Sequence, residues 1–301
     1  MFAASTGQLA AWPAHGGFAE PWSRGSTPKL HIACSVQSQV HGASIIVTTA
    51  CWAGKGEGGT GDAQIKSERA LKGARNIKSH SMSRICIVCI SDTHGQHAKL
   101  SVPDGDVLIH AGDFMRFGNR PQEIVDFNRW LGKQPHRFKV VIAGNHDLMF
   151  ERHPGVAKEL LGNAIYLENS GTELAGLKIW GSPVQPEFNN WAFNVARGAA
   201  IGRYWKMIPA DTDVLVTHGP PFGVLDQSHP SGAHLGCEEL AKAVDQIRPK
   251  LNIFGHIHGG HGELTANSTR FVNASVVNEA YHLVYKPQVV EIDVSCEPVR
   301  Q

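Results

Sequence analysis

The 301-residue chain lacks an apolar run of the length that a membrane-spanning helix needs, which is roughly 20 residues. Its nearest candidate, residues 43–53, is too short and lies too far from the start to be the core of a signal peptide. Neither sign of charge dominates, and a net charge of +1 points neither to nucleic acid nor to a membrane surface. We therefore expect a cytoplasmic globular protein with no membrane or specific nucleic-acid partner.

Cysteine is also scarce, with six in the chain, and without a secretory signal we expect reduced thiols. Cys86 and Cys89 have the C-x-x-C spacing that zinc and redox sites use. They lie in a β-branched run, residues 84–90, that predicts a central strand, and positions three apart on a strand face opposite sides. We therefore interpret both as small buried apolar residues.

Charged residues are few at the start, where only three occur among the first 54. No sustained period of 2 or 3.6 precedes residues 67–78, which predict a short basic helix. This composition favours a low-order leader at 1–82 that is disordered, followed by one domain at 83–301. Two alternatives stay open: an organellar transit peptide, because acidic residues are few, or a gene-model extension with Met82 as the working start.

From residue 84 onward, short apolar runs alternate with helical patterns, which predicts an α/β fold with helices outside the sheets. Ile124, Phe127 and Leu131 give one helix an apolar face. The last two predicted strands indicate a hairpin-rich closing sheet. Strands are predicted at 85–91, 106–111, 138–143, 177–181, 213–217, 251–254, 269–274 and 288–294. Helices are predicted from 121 to about 131, at 156–161 and at 238–247. A further helix is predicted to follow residues 188–194 and to end at about 207.

Five of these strands end in residues that can bind metals, each next to glycine. After the strand at 251–254, His256 and His258 are two residues apart, so in extended chain both imidazoles face the same volume. Ligands of α/β sheets bind beyond the carboxyl ends of the strands. Buried imidazoles and carboxylates are costly unless paired or metal-bound, so these strand ends indicate a site. The candidate metal ligands are Asp92, His94, Asp113, Asn145, His218, His256 and His258.

All the candidates offer oxygen or imidazole nitrogen and none a thiolate, a set that suits iron, manganese or zinc. They are too many for one ion, and they fit two divalent metal ions that share a carboxylate. Two metals about 3.5–4 Å apart can hold a phosphate and lower the pKa of a bridging water.

The motifs Asp-x-His, Gly-Asp, Gly-Asn-His-Asp, His-Gly and Gly-His-x-His, in this order, resemble those of the calcineurin-like metallophosphoesterases. The resemblance covers residues 84–294, and the set of motifs is specific where any one alone is weak. Residues 188–194, 217–221 and 248–251 are similar to the metallophosphoesterase-domain-containing group of fetal-brain proteins, which resemble class III cyclic-nucleotide phosphodiesterases. The implied fold is an α/β, two-sheet mixed β-sandwich flanked by helices in four layers.

The resemblance implies a dinuclear metal-dependent phosphoesterase that hydrolyses small phosphodiesters, including cyclic nucleotides, by a metal-activated hydroxide. It implies that His146 donates a proton to the leaving oxygen and that Asp147 orients His146 through the other ring nitrogen. The first metal would be held by Asp92, His94 and His258, the second by Asn145, His218 and His256, with Asp113 as the bridge.

Some vertebrate members of the group have glycine at the position of His256. The histidine here therefore predicts an active enzyme rather than a catalytically weak nucleotide-binding protein. A phosphomonoesterase, such as a protein phosphatase, is the other alternative, although the long extra segments of Ser/Thr phosphatases are missing. The natural substrate, the native metals and the oligomeric state stay open.

Other residues near the motifs have weaker assignments. Trp191 is a candidate to stack on a base, with packing of a helix start as the alternative. His110 is predicted to be packed beside the site rather than to bind metal. Candidate nucleotide contacts are Asn189, Asn190 and Arg197, and the predicted solvated loop histidines are His97, His261, His229 and His234.

Overall fold

The computed structural model describes residues 35–40, 43–48 and 82–295. The chain divides into two compact units, residues 1–77 and 78–301. In the first unit, strands β1 (Ser35–Val40) and β2 (Ala43–Thr48) pair antiparallel. The sequence predicts no strand there because its apolar residues do not alternate, although β-branched residues in β2 suit a strand. The helix predicted at 67–78 lies outside the described residues.

The second unit contains strands and helices that alternate along the chain. Its strands are β3 (Met82–Ile90), β4 (Val107–His110), β5 (Phe138–Val141), β6 (Ile165–Tyr166), β7 (Ser170–Leu174), β8 (Leu177–Ser182), β9 (Gln185–Pro186), β10 (Asn194–Val195), β11 (Val214–Thr217), β12 (Leu251–Phe254), β13 (Gly262–Ala266), β14 (Thr269–Asn273) and β15 (Gln288–Ser295). Its α-helices are α1 (Pro121–Leu131), α2 (Leu148–Arg152), α3 (Pro154–Leu160), α4 (Ala199–Trp205) and α5 (Glu238–Ile247).

The two large sheets of this unit are both mixed. The first has the order β15-β3-β4-β5-β6, with β15 antiparallel to β3 and the other neighbours parallel. The second has the order β13-β14-β12-β11-β8-β7, with parallel pairs in the centre and an antiparallel pair at each edge. The prediction of one closing sheet is wrong, because β14 and β15 lie in different sheets.

The side chains of β3 alternate between two apolar layers. Ile87 and Cys89 lie in the core between the sheets, together with residues of β11 and β12. Val88 and Ile90 pack against the layer formed by α1, α2 and α3. The thiols of the C-x-x-C motif therefore do not meet, as predicted, and Cys86 Sγ lies near the carbonyl of Asp104. Cys89 is buried as predicted, whereas Cys86 is only half-buried.

The outer face of the second sheet is covered by α4 and α5. Phe254 of β12 packs there with Trp205 of α4 and Leu240 of α5. The order of layers is thus helix, sheet, sheet, helix, which confirms the predicted two-sheet mixed α/β sandwich in four layers. Within the described part of the chain, no helix combines the length and apolarity needed to cross a bilayer.

Candidate metal centre

Each predicted ligand follows the carboxyl end of a strand. Residues after β3, β4 and β5 come from the first sheet, and residues after β11 and β12 come from the second. Because the two sheets pack face to face, these strand ends meet at one edge of the sandwich. The structure brings together there Asp92, His94, Asp113, Asn145, His218, His256 and His258.

One group of donor atoms belongs to Asp92, His94 and His258, and all of them lie within 4.8 Å of one another. Nε2 of His258 lies 3.5 Å from Oδ1 of Asp92 and 3.5 Å from Nε2 of His94. The other ring nitrogen of His258, Nδ1, donates to the backbone carbonyl of Asn278 at 3.1 Å. This bond fixes the tautomer and leaves the Nε2 lone pair facing the group, as in metal-binding histidines.

A second group is formed by Asp113, His218 and His256, again within 4.8 Å. Nε2 of His218 lies 3.5 Å from Oδ2 of Asp113 and 2.8 Å from Oδ1 of Asn145. Nδ1 of His218 donates to the backbone carbonyl of Ala111 at 3.0 Å, so this ring is oriented like that of a metal ligand as well.

Asp113 contacts both groups. Its Oδ2 lies 3.8 Å from Nε2 of His94 in the first group and 3.5 Å from Nε2 of His218 in the second. Its Oδ1 accepts the backbone N–H of His146 at 2.7 Å. One carboxylate thus joins the two clusters, which is the geometry that a bridging ligand requires.

The backbone at the site is strained. Asp92, His94, Asp113 and His256 have φ values of 56°, 41°, 58° and 65°, in the left-handed region. Each such residue costs of order 1–3 kcal/mol and persists only where the surroundings impose it, most often at functional sites. Glycines allow the close approach: a Cβ on Gly144 would overlap Asp113 and His218.

Burial and the neighbouring charges set the protonation of the site. Burial raises the pKa of Asp113, but the charge and hydrogen bond of His218, together with His146 and His94, hold that pKa well below its usual range. Burial lowers the pKa of His218, yet Asp113 raises it to about 9. Burial also lowers the pKa of His94 to about 4 and that of His256 to about 3, so both imidazoles are neutral at pH 7.

This donor set fits divalent cations. It combines ionised carboxylates with imidazoles, of which those of His94 and His256 are neutral at pH 7, and an amide oxygen, and it contains no thiolate. Two Nε2 atoms, of His94 and His258, face each other at 3.5 Å. Among the described residues, buried Nδ1 of His94 has no hydrogen-bond partner. The Nε2 lone pairs of His94 and His258 are satisfied when a cation lies between them.

His146 lies beside the metal-binding clusters and is half-buried. Its Nδ1 lies 3.4 Å from the carbonyl of Arg116, so Nδ1–H donates and Nε2 points toward the cavity, 3.5 Å from the hydroxyl of Tyr281. Its ring stacks on Trp191 with centroids 4.1 Å apart. Its donor atom also lies within 4.8 Å of those of His94 and Asp113.

Asp147 does not contact the ring of His146, so the predicted orienting role needs correction. Its buried carboxylate accepts three backbone N–H groups, from Asp113 at 2.9 Å, Gly144 at 2.7 Å and Met115 at 2.9 Å. Burial and the charge of Asp113 raise the pKa of Asp147, against the effect of the backbone bonds. Asp147 thus holds together the loops after β4 and β5.

A cavity of about 280 Å³ opens onto the site. Residues that line it include Asp113, Asn145, His146, Trp191, His256 and Tyr281. Tyr281 has no assignment from the sequence, because it lies in an aperiodic segment 23 residues after His258. The only signal that marks this segment is a cluster of turn-forming and aromatic residues, which is too common to identify a site.

The structure places the predicted substrate contacts differently with respect to the cavity. Trp191 lines the cavity, whereas Asn189 and Asn190 are not among the residues that line it. Arg197 lines the cavity, but its guanidinium donates to the carbonyls of Leu235 and Gly236 and to Glu238. Contact of Asn189 and Asn190 with a substrate therefore stays a prediction, and Arg197 holds the loop that contains Leu235 and Gly236.

Of the remaining histidines, two are more buried than predicted, whereas His229 and His234 are exposed as predicted. His97 is not solvated: it packs against Phe127 at 5.3 Å, and burial lowers its pKa to about 4. His261 is half-buried, stacks on Tyr285 and donates from Nδ1 to a backbone carbonyl. His110 is packed as predicted, with Nε2 at 3.0 Å from the Thr93 hydroxyl. His234 contacts buried Asp226, and His229 lines the cavity.

Fold and site together define a metal-binding α/β protein with its donors at one edge of a sheet sandwich. Residues 86–260 match the calcineurin-like phosphoesterases, and the chain belongs to this family. It is thus a metal-dependent phosphoesterase, a hydrolase that acts on phosphoester bonds.

Relatives of known sequence support the assignment. The chain is 42% identical over 229 residues to Metallophosphoesterase domain-containing protein 1 of Homo sapiens, covering 68% of this chain and 70% of that protein. It is 40% identical over 220 residues to a UPF0046 protein of Caenorhabditis elegans, covering 68% of this chain and 74% of that protein. A solved crystal structure, 15% identical, has the same fold with a TM-score of 0.53, covering 69% of this chain and 99% of that one.

Proposed function

We propose that this protein hydrolyses small phosphodiesters, cyclic nucleotides among them, with two divalent metal ions bound. The observation that carries the proposal is the pair of donor groups that share Asp113. Asp92, His94 and His258 would hold one ion and Asn145, His218 and His256 the other. Oxygen and imidazole donors of this kind favour manganese, iron or zinc. When bound, such a pair neutralises phosphate charge and lowers the pKa of water.

His146 supplies the proton for the leaving oxygen in this proposal. Because Nδ1–H is directed at the carbonyl of Arg116, the ring presents Nε2 to the cavity. Stacking on Trp191 restricts rotation of the ring. A positioned proton donor of this kind contributes roughly 10²- to 10⁴-fold to the rate.

The charges of the cavity support a diester over a monoester. A monoester carries a second negative charge near neutral pH. Among the described residues that line the cavity, Arg197 is the one arginine or lysine, and its donors are used by Leu235, Gly236 and Glu238. The walls instead include the aromatic rings of Trp191 and Tyr281. Flat apolar walls suit an organic group on the phosphate, such as a nucleobase.

The test compares bis-p-nitrophenyl phosphate with p-nitrophenyl phosphate in the presence of Mn²⁺, before and after chelation. We expect faster hydrolysis of the diester, loss of activity on chelation and recovery when Mn²⁺ is restored. Preference for the monoester would make the protein a phosphomonoesterase, and hydrolysis of neither would indicate a binding protein.

A pair of variants separates the chemistry from the fold. His146→Ala should lower kcat while metal content stays at the wild-type value. His153→Ala, which changes an exposed histidine between α2 and α3, is the matched control and should leave kcat unchanged.

A further inference from the structure

Tyr281 belongs to the wall of the cavity, beyond the last metal-ligand motif. Its ring packs edge-on against His94 and His258, with centroids 4.8 Å and 5.2 Å apart. Its hydroxyl lies 3.5 Å from Nε2 of His146. This distance is near the outer limit of a hydrogen bond, and catalytic hydrogen bonds are often this long before substrate binds.

The turn that carries Tyr281 is held in a costly conformation. Its φ is 60°, which is a genuine outlier for a bulky residue. The N–H of Tyr281 donates to the carbonyl of Asn278 at 2.8 Å, and its carbonyl accepts the side-chain amide of Gln96 at 2.9 Å. The carbonyl of Asn278 also accepts Nδ1–H of His258. The turn is therefore tied directly to a candidate metal ligand.

The distance between the Tyr281 hydroxyl and Nε2 of His146 allows both atoms to contact one ligand oxygen. Two atoms 3.5 Å apart can both lie within about 2.8 Å of a single oxygen placed between and above them. A tyrosine hydroxyl keeps its proton up to about pH 10, so at neutral pH it is available as a donor. An ester oxygen over Nε2 of His146 would thus also be within reach of Tyr281.

We propose that Tyr281 is a further catalytic residue, whose hydroxyl donates a hydrogen bond to the same leaving oxygen that His146 protonates. This inference rests on the proposed function. The oxygen of water forms a bond to phosphorus as the bond to the leaving oxygen breaks. The proton on Nε2 moves to that oxygen, the water loses a proton to solvent, and His146 is reprotonated from solvent. The hydroxyl of Tyr281 keeps its proton and stabilises the developing negative charge.

The test uses the full-length protein with Mn²⁺ and two diesters that differ only in the leaving group, methyl p-nitrophenyl phosphate and methyl phenyl phosphate. Phenol is the poorer leaving group and needs more help from a donor. Tyr281→Phe removes the hydroxyl and keeps the ring on His94 and His258. We expect kcat for the phenyl ester to fall about 10-fold, the loss of one good hydrogen bond, with a much smaller effect on the nitrophenyl ester.

Tyr285→Phe is the matched control, because this tyrosine stacks on His261 outside the lining of the cavity. Equal losses on both esters together with lost metal would assign Tyr281 a purely structural role and overturn the inference. If Tyr281→Phe keeps the wild-type kcat on both esters while His146→Ala still lowers kcat, the inference is also overturned. The proposed function would stand in that case. If the wild type hydrolyses neither diester, both the function and the inference fail.

Discussion

The backbone N–H of His256 donates a hydrogen bond of 3.0 Å to Oδ2 of Asp92, although the two residues lie 164 positions apart. Both residues have a left-handed backbone. The bond joins the loop after β12 in one sheet to the loop after β3 in the other. Because it uses the backbone of His256 and not its imidazole, the frame of the site does not depend on that side chain.

His256→Gly should therefore remove a metal ligand without disturbing the fold. We expect metal affinity and turnover to fall together by at least about 10-fold, the lower end of the loss seen for outer-shell partners. Glycine tolerates a φ of 65°, so the melting temperature of the metal-free protein should not fall. Ser268→Gly changes an exposed left-handed residue and serves as the control for metal analysis and calorimetry. Unchanged metal content would contradict the assignment of His256 as a ligand.

Asp147→Asn tests whether this carboxylate is structural. An amide has one acceptor oxygen, so at least one of the backbone N–H groups of Asp113, Gly144 and Met115 would face a donor. We expect a loss of about 1–3 kcal/mol in the free energy of unfolding, accompanied by reduced metal content. Wild-type stability with a lower kcat would instead restore the orienting role for His146.

Arg197→Lys separates loop anchoring from phosphate binding. One ammonium group cannot make the hydrogen bonds that the Arg197 guanidinium donates to Leu235, Gly236 and Glu238, so this part of the cavity wall should shift. We expect KM to rise by the same factor for diester and monoester substrates. A larger rise for the more highly charged monoester would indicate direct contact with phosphate. Arg203→Lys, on the exposed side of α4, is the control.

His97, which is not a candidate metal ligand, should make the stability of the protein depend on pH. Burial lowers its pKa to about 4, against the charge of Asp126, while the unfolded chain titrates near 6.5. Between these values the unfolded state binds the extra proton, so stability falls as pH falls through this window. By pH 5 the wild type should have lost about 2 kcal/mol from this group. In urea unfolding, the free energy of unfolding of His97→Leu should fall by about 2 kcal/mol less than that of the wild type between pH 7.5 and pH 5. The free energy of unfolding of His153→Leu should follow that of the wild type.

A chain truncated to begin at Met82 should keep its activity. β3 begins at this residue, where it pairs with Ser295 of β15, and residues 78–301 form a compact unit by themselves. We expect unchanged kcat, KM and melting temperature for this shortened protein. Loss of fold or of activity would show that the preceding residues contribute to the domain.

The sequence by itself determined the alternation of strands and helices and the candidate ligands, and its resemblance to the calcineurin-like metallophosphoesterases implied the order of the layers. Each candidate follows a short apolar run, and all but Asp92 adjoin a glycine, so strand ends and donors are encoded within a few residues of each other. Parallel strands bring their carboxyl ends to one edge, which is why Asp92 and His256 could be assigned to one site from local patterns. Strand β6 and helix α2 were not predicted, since elements this short depend on their neighbours rather than on periodicity.

Only the tertiary structure decided what the polar side chains of the site contact. Asp147 follows His146 directly, yet its carboxylate turns to amides of the β4 loop, some 30 residues earlier in the chain. Arg197 is bound to carbonyls 38 and 39 residues away, and Tyr281 reaches His146 across 135 residues. A hydrogen bond depends on distance and angle between atoms that folding brings together, and no local pattern encodes those partners.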